Sequence, residues 1–359
     1  MPSAALALSR SEIDAIQTEL DAVRAEITAD LGERDTRHIQ QMIHLARLSA
    51  LTGRTLLMVG IDPVSWGLGV AALSTAKILE NMEIGHNVMH GQYDWTNDPA
   101  LCSQTYEWDI VCDADQWRHS HNILHHTHTN IVGRDRDVGY GFLRVSDAQP
   151  WRPHHLFQPG VSVLLALLFE WGVGLHDVEL DEWLRGNRSR AEVQARLKPF
   201  LRKAARQVVK DYVLFPTLAL GNAPRVLLGN LAANLVRNLW TYVVIFCGHF
   251  PDGARTFTVD ETRDETRGDW CVRQILGSCN IEGGPALHVM SGHLSHQIEH
   301  HLFPDLPASR YPEIAPRVRA ICARHGLAYN TGTLWGQFAT VVRRIVRLAL
   351  PVAIRPAFA

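Results

Sequence analysis

Two segments of the chain contain runs of apolar residues, each divided near the middle by a helix-breaking turn. The first covers residues 48–85 and is divided by Asp-Pro at 62–63; the second covers residues 208–248 and is divided by Asn-Ala-Pro at 222–224. Because proline and asparagine mark helix boundaries, each segment is predicted to be a helical hairpin. Each return helix would be about 33–36 Å long, slightly more than the roughly 30 Å hydrocarbon core of a bilayer. The pattern therefore predicts an all-α integral membrane bundle of two hairpins, with four transmembrane helices.

Other features of these segments are typical of soluble core helices. No run reaches about 18 consecutive apolar residues, and the mean hydropathy of the chain is −0.07. Arg54, Asn234, Arg237 and Asn238 lie within the proposed spans. In a membrane, such residues face the interior of the bundle or reach toward the interface. We favour the membrane interpretation because the two hairpins match in length.

The distribution of basic residues predicts the orientation. Residues 185–210 are rich in arginine and lysine. If both hairpins have cytoplasmic ends, this stretch lies on the cytoplasmic side, as the positive-inside rule requires. Residues 160–175 are apolar but must then not cross the bilayer, so we expect an interfacial or re-entrant helix there. The expected location is the cytoplasmic membrane, with several spans and a helical cap on the cytoplasmic side.

The two ends of the chain are predicted to be amphipathic. Residues 1–45 favour an acidic cytoplasmic helix over a signal peptide, since the first 30 residues lack a basic start followed by an apolar run. Residues 333–359 place arginines among apolar residues, which is typical of a helix on the membrane surface. Packing of this tail against the body of the protein is the alternative.

Charge and cysteine content exclude some classes of function. The net charge of −2 gives no electrostatic basis for binding nucleic acid. The six cysteines are scattered and include no C-x-x-C pair. Reduced thiols fit this pattern better than a disulfide framework.

The histidines are informative because of their grouping. The grouped histidines lie in three short segments: EIGHNVMH, WRHSHNILHHTHTN and HLSHQIEHH. The candidate ligands in these groups are His86, His90, His121, His125, His126, His300 and His301, with Gln297 at the start of the third group and His293 and His296 just upstream of it.

The spacing within the groups suits metal binding. Residues four apart on a helix share a face, so two imidazoles can reach one ion. A histidine doublet adds a ligand turned by about 100°, which suits a second, adjacent ion. Neutral imidazole favours iron, copper, zinc and nickel. Isolated histidines are more often surface or packing residues, and we give that interpretation to His38, His44, His154, His155, His176, His288 and His325.

One isolated histidine becomes a candidate through helix length. The return helices of the two hairpins are nearly equally long, so His86 and His249 would emerge at similar depth on the same side. His249 is therefore a candidate ligand, and a surface histidine at a helix end is the alternative.

Four acidic residues are candidates for orienting the ligands. Glu83 lies one turn before His86 and Asp94 one turn after His90, so either carboxylate could accept the far imidazole N–H of its neighbour. Asp135 and Asp137 are candidates for the same role near the second group. The alternative is a solvated helix face.

The three groups resemble the histidine boxes of the membrane fatty acid desaturases. The resemblance rests on GHNVMHGQYDW, WRHSHNILHHTHTN and QIEHHLFPDLPASRYPEIAP, and it covers residues 75–332. Within this family, the chain most resembles the bacterial acyl-CoA delta-nine desaturases of the mycobacterial type. The stretches DRDVGYG at 135–141 and CGHFPDG at 247–253 also carry this resemblance. It implies a catalytic domain over residues 46–332.

The resemblance implies a non-haem centre of two iron ions. The ligands carried over by position are His86, His90, His121, His125, His126, His249, Gln297, His300 and His301. The chain departs from the family pattern at His293, His296 and His128. His296 repeats the spacing of the second group relative to His300, so it is an alternative to Gln297 as a ligand.

The implied reaction is desaturation of a saturated fatty acyl chain, carried by CoA or a lipid, with dioxygen as co-substrate. Related di-iron hydroxylases and alkene-forming fatty acid decarboxylases share the motifs and are alternatives. No Gly-rich nucleotide fingerprint following a predicted strand appears in the chain. We therefore expect electrons from a separate ferredoxin or NAD(P)H-dependent reductase, and membrane lipid as a further partner.

Two hypotheses come from other classes of protein. A histidine-rich metal transporter would hold its ligands at mid-membrane depth, whereas these groups lie beyond the ends of the proposed spans. A soluble, all-helical zinc protein would need no lipid. Detergent dependence together with iron content would distinguish the three.

Overall fold

The chain is almost entirely helical. The computed structural model describes residues 8–351. Within them, the β-structure consists of Asn280–Glu282 paired in parallel with Thr331–Thr333, and one isolated bridge between Ile131 and Phe257. The predicted all-α class is confirmed.

The longer helices are numbered here in chain order. They are α1 (Arg10–Ala29), α2 (Glu33–Val59), α3 (Pro63–Ile78), α4 (Gln158–Leu167), α5 (Phe169–Asp177), α6 (Arg190–Val208), α7 (Ala223–His249), α8 (Arg267–Gly277), α9 (Tyr311–Arg324) and α10 (Leu334–Ala349). Shorter α-helices are Asn87–Met89, Ala114–Trp117, His126–His128, Leu180–Leu184, Phe215–Leu218, Pro285–Met290 and Gln297–Leu302. Three segments are π-helical: Leu79–His86, Arg118–His125 and Val209–Leu214.

Helices α2 and α3 form the first hairpin. Its turn is set by Asp62, whose side chain accepts a hydrogen bond from the backbone N–H of Ser65 at 2.9 Å, and by Pro63 at the first helical position. The two helices approach closely at Gly53, where a Cβ would lie 2.6 Å from the backbone nitrogen of Leu73. Helix α3 continues through the π-helix Leu79–His86, which carries the first histidine group away from the hairpin.

The second hairpin pairs α6 and its continuation with α7. The ascending arm includes the π-helix Val209–Leu214 and the short helix Phe215–Leu218, and α7 begins after the predicted turn. Helix α7 also packs against α3, with Leu57, Leu73, Val226 and Ala233 in one buried cluster. This contact joins the two hairpins.

Charged residues inside the hairpins are paired. Asp211 lies 2.7 Å from Nζ of Lys77 and 3.3 Å from the guanidinium of Arg54. Arg237 pairs with Glu170, and both side chains are buried. The polar residues that weakened the membrane interpretation therefore face the interior of the bundle, where buried charges need partners.

Among residues 8–351, one helical stretch is long and apolar enough to cross a membrane, namely Leu220–His249. Helices α4 and α5, with the turn that precedes them, pass the same test together but are bent by 100° at Leu168. This bend lies within the segment predicted to be interfacial or re-entrant. Neither arm of the first hairpin is among the stretches that meet this test.

The terminal segments pack onto the body. Residues 8–45 contain two helices rather than the single predicted one, and α2 runs through the expected boundary at residue 45. Ile16, Leu20 and Val23 of α1 lie in one buried cluster with residues of the third histidine segment, including Ile298. In α10, Val341 and Ile345 are buried while Trp335, Val342 and Val346 are exposed. Of the predicted terminal segments, residues 1–7 and 352–359 lie outside the described residues.

Candidate metal centre

Two π-helices position ligands of the first two histidine groups. Leu79–His86 ends at His86, and Arg118–His125 ends at His125. A π-helical turn contains an extra residue and is frequent at functional sites. It turns the following histidines relative to a regular helix, so that each segment presents several imidazoles to the same volume. Helix α7 contributes its last residue, His249, and the short helix Gln297–Leu302 contributes the third group.

The eight predicted histidine ligands come together. The ligand atoms of one set, His86, His90, His121 and His300, lie within 4.8 Å of one another, as do those of a second set, His125, His249 and His301. The ring of His126 lies between the sets, with its centroid 4.7 Å from that of His90 and 4.6 Å from that of His301. The arrangement provides two adjacent places for an ion.

The imidazole nitrogens that face this volume fit metal ions. Buried nitrogens without a hydrogen-bond partner occur in the described residues at Nε2 of His90, His121, His125, His300 and His301, at Nδ1 of His249, and at both nitrogens of His126. Buried polar atoms are normally paired. So many unpaired nitrogens in one place indicate a role as ligands, and an all-imidazole set of this kind suits iron, copper, zinc or nickel.

The opposite nitrogens of several rings are held by hydrogen bonds. Nδ1 of His125 donates to Asp135 at 3.0 Å, and Nδ1 of His86 lies 3.0 Å from the side-chain oxygen of Asn87. Nδ1 of His301 lies 3.1 Å from both the hydroxyl of Thr129 and the amide oxygen of Gln274. Such contacts fix the tautomer and the orientation of a ligand.

Asp137 interacts with three imidazoles. Its carboxylate lies 3.6 Å from His121, 3.7 Å from His125 and 3.4 Å from His176. Asp137 therefore lies where it could orient ligands, as the sequence predicts. His176, for which a packing role is predicted, also contacts it. His176, Thr129, Asn87 and Gln274 have no spacing signal in the sequence.

Two of the proposed orienting carboxylates do not contact the expected histidines. Asp94 accepts hydrogen bonds from the backbone N–H and the hydroxyl of Ser103, at 2.7 and 2.6 Å, and so it stabilises the loop after the first group. Glu83 contacts His38 and His293 instead of His86. The π-helix changes which side chains share a face, so a separation of one α-helical turn, as between Glu83 and His86, predicts the wrong partner here.

Gln297 and His296 have different surroundings. The amide nitrogen of Gln297 lies 3.3 Å from Nε2 of His249, and its amide oxygen is buried without a partner. The ring of His296 instead packs against His288, with centroids 4.6 Å apart. Gln297 is therefore the residue that lies beside the second histidine set.

The histidines are electrostatically suited to bind metal. Burial lowers the pKa of His126, His300 and His301 well below the usual value for histidine, and the neighbouring imidazoles lower it further. A neutral imidazole keeps the lone pair that a metal ion requires.

A cavity begins at the histidines and extends along α7. His86, His121, His125 and His249 lie at one end, and the walls are mainly apolar and aromatic: Met82, Trp108, Ile110, Trp117, Phe169, Val173, Ile245 and Leu294. The lining residues of α7 are Arg237, Asn238, Thr241, Ile245 and His249, a stripe about 18 Å long. Polar and charged side chains, among them Asp137, Glu170 and Asp177, also line it, so its apolar part is the part that suits an unbranched hydrocarbon chain.

Comparison with known proteins identifies the family. The sequence model of one family, described as fatty acid desaturase, matches residues 63–333. The chain belongs to the fatty acid desaturase family. An NADPH-dependent stearoyl-CoA 9-desaturase of Mycobacterium tuberculosis is 47% identical over 348 residues, which cover 96% of this chain and 82% of the relative.

More distant relatives are also desaturases. An sn-1 linoleoyl-lipid 6-desaturase of Synechocystis is 26% identical, with coverage of 88% of this chain and 89% of the relative. An acyl-lipid (7-3)-desaturase of Rebecca salina is 31% identical, with coverage of 75% of this chain and 61% of the relative. The predicted family is confirmed, and the chain is a fatty acyl desaturase, an oxidoreductase of lipid metabolism. Desaturation is thus favoured over hydroxylation, decarboxylation, metal transport and a structural zinc protein.

Proposed function

We propose that the enzyme introduces a double bond at carbon nine of a saturated acyl chain carried by CoA, at a di-iron centre and with dioxygen as co-substrate. The position and the carrier are those in the name of the Mycobacterium tuberculosis relative, whose similarity extends over 96% of this chain. The observation that carries the proposal is the continuity between the two histidine sets and the apolar cavity.

The ligands divide between the two ions. One iron would be held by His86, His90, His121 and His300, and the other by His125, His249 and His301. His126 lies between them and serves as a further ligand, and Gln297 completes the second set from its position beside His249. Two irons, when bound, activate dioxygen and remove hydrogen from an unactivated methylene pair.

The cavity would hold the acyl chain against the histidines. Apolar walls stabilise the chain by burying it and exclude water from the reacting carbons. The side chains of Ile245 and Thr241 lie about 6 and 12 Å along α7 from His249. Contacts along this length fix which carbon pair lies at the metal centre, so the reaction is directed to one position of the chain.

Electrons come from a separate protein. Each turnover needs two electrons, and among the described residues no Gly-rich nucleotide fingerprint follows a strand. The donor would be an NADPH-dependent reductase or a ferredoxin, in keeping with the NADPH dependence in the name of the relative. No nucleic acid partner is expected at a net charge of −2.

The enzyme would span the cytoplasmic membrane through both hairpins, with the histidines on the cytoplasmic side. Support comes from the outward faces of α2, α3 and α7, which expose Leu48, Leu51, Val59, Val64, Leu68, Leu227, Leu228, Leu231, Val236 and Leu239. An apolar surface of this extent is typical of contact with lipid or with a partner. Fatty acyl substrates are also found at membranes.

Product analysis tests the proposal. The chain is expressed with an NADPH-dependent reductase and supplied with stearoyl-CoA, and the acyl products are analysed by gas chromatography. We expect a 9-octadecenoyl product that depends on dioxygen and disappears in His300→Ala. The matched control is His154→Ala, since His154 is exposed and distant from the histidine sets. A hydroxylated or shortened product, or equal activity in both variants, would contradict the proposal.

A further inference from the structure

A third group of possible ligands lies outside the two histidine sets. It consists of His38 from α2, Glu83 from the π-helix after α3, and His293 from the loop before the third histidine segment. The two carboxylate oxygens of Glu83 lie 2.7 Å from Nε2 of His38 and 2.9 Å from Nδ1 of His293. The ligand atoms of all three residues lie within 4.8 Å of one another.

The surroundings of Glu83 call for a positive charge. The side chain of Glu83 is 1% exposed, and its ion-pair partners in the described chain are these two histidines. A buried carboxylate is strongly disfavoured unless its charge is compensated. A divalent cation between the three groups would compensate the carboxylate directly and would use both imidazoles as ligands.

The backbone at His293 is held in an unfavourable conformation that aims the imidazole at Glu83. His293 has φ 56° and ψ 11°, in the left-handed region that few residues other than glycine adopt, although histidine does so more often than most. The preceding Gly292 has φ 64°, and a Cβ there would lie 2.3 Å from the carbonyl oxygen of Met82. The loop therefore lies directly against the π-helix. Such strain is retained mainly where it serves a site.

We propose that His38, Glu83 and His293 form a third metal site that takes a divalent transition-metal ion of the zinc class. Two imidazoles and a carboxylate are a known zinc donor set, with a water molecule as the fourth ligand. Small side-chain shifts bring the three ligand atoms to about 2.0–2.2 Å from one ion. The side chain of His38 is 21% exposed, so the ion and its water have access from solvent.

The ion would cross-link three parts of the chain that support the catalytic centre. Glu83 lies three residues before His86, and His293 lies four residues before Gln297. A shared ion at this place fixes α2 to both histidine segments. It would be a positioning site, and it would not exchange electrons with the substrate.

Metal analysis of paired variants tests the site. Protein produced with iron and zinc in the medium is purified, dialysed against a weak chelator, and analysed for both metals by mass spectrometry. The wild-type chain should retain about one ion more than His38→Ala, and this extra ion should be zinc. The control is His44→Ala, which lies on the same helix and is exposed. It should retain the full complement.

Equal total metal in the wild type and His38→Ala would overturn the proposal. If His38→Ala loses iron as well, the metal content of His38→Cys is compared with that of His38→Ala instead. Cysteine restores a ligand that zinc accepts. His38→Cys should regain the extra ion, and failure to do so also overturns the proposal. The difference of one ion between variants is independent of the desaturation assay, so failure of the reaction and failure of this site are distinguishable.

Discussion

Nδ1 of His125 donates a hydrogen bond to the buried carboxylate of Asp135 at 3.0 Å. Asp135 also accepts hydrogen bonds from the backbone N–H groups of Asn130 at 2.7 Å and Asp137 at 2.9 Å, so its position is fixed by the chain itself. With its proton on Nδ1, His125 presents the lone pair of Nε2 toward His249 and His301. The carboxylate therefore determines which nitrogen can act as a ligand.

Replacement of Asp135 by asparagine should weaken metal binding without removing any proposed ligand. An amide can donate to Nδ1 and thereby favour the wrong tautomer of His125. We expect metal affinity to fall by about 10- to 100-fold, measured as the iron retained during dialysis against graded chelator. Asp264→Asn is the control, since Asp264 is exposed, and it should behave as the wild type. Equal retention in both variants would show that Asp135 does not orient His125.

Much of the candidate site follows from the sequence because helix geometry is local. The pairs at four-residue spacing, such as His86 with His90, reveal a shared face without any tertiary information. The partners on the far side of the rings do not follow, because they arrive from elsewhere in the chain. Gln274, which contacts His301, comes from α8, and no spacing rule connects the two.

The fold is predictable where local signals are strong. Asp62 and Pro63 mark the first turn correctly because capping and a fixed φ act within a few residues. The break between α1 and α2 at residues 30–32 lies inside the single helix predicted for residues 1–45. The extent of a candidate span is not fixed by composition, because charges such as Lys77 are neutralised by distant partners such as Asp211.

Gln297→Ala and His296→Phe should have opposite effects. Gln297 lies beside His249, whereas His296 packs against His288. We expect Gln297→Ala to lose iron and most of the unsaturated product, and His296→Phe to keep most of both, because an aromatic ring can fill the same packing position. Iron content and product are measured for the two variants side by side. The reverse ranking would make His296 the ligand.

Labelling of single cysteines tests the orientation in the membrane. Of the six cysteines in the described residues, Cys102 is partly exposed and the other five are buried. Each single cysteine is therefore introduced into the Cys102→Ser variant. Asp62→Cys and Ala223→Cys should react with an impermeant reagent on intact cells. Arg190→Cys should react only after permeabilisation, as the positive-inside rule predicts for its basic surroundings. Labelling of Arg190→Cys from outside would mean that the bent helices α4 and α5 cross the membrane.

A buried ion pair should anchor α2 to the start of α9. Arg310 and Asp35 are 3% and 1% exposed, and Nη2 of Arg310 donates to Asp35 at 2.7 Å. Arg310→Met leaves Asp35 buried without its partner, which should cost roughly 3–5 kcal/mol. Arg34→Met is the control, because Arg34 is 57% exposed and should cost less than about 1 kcal/mol. Thermal unfolding in detergent measures both, and similar shifts would contradict the assignment.

The length of the cavity along α7 should determine which acyl chains fit. Thr241 is buried, lines the cavity about 12 Å from His249, and accepts a hydrogen bond from Asn81 at 3.1 Å. A tryptophan there would fill the cavity two turns beyond the histidines. Thr241→Trp should lower the conversion of stearoyl-CoA by about tenfold or more, as expected when a chain end loses more than about 1.4 kcal/mol of burial, and it should favour myristoyl-CoA.

Leu239→Trp is the matched control, since Leu239 lies two residues away on the same helix and is 41% exposed on its outward face. The measurement is the ratio of the two unsaturated products in competition. An unchanged ratio in Thr241→Trp would mean that the acyl chain does not occupy this cavity, because a bulky ring in its path cannot leave the longer chain unaffected.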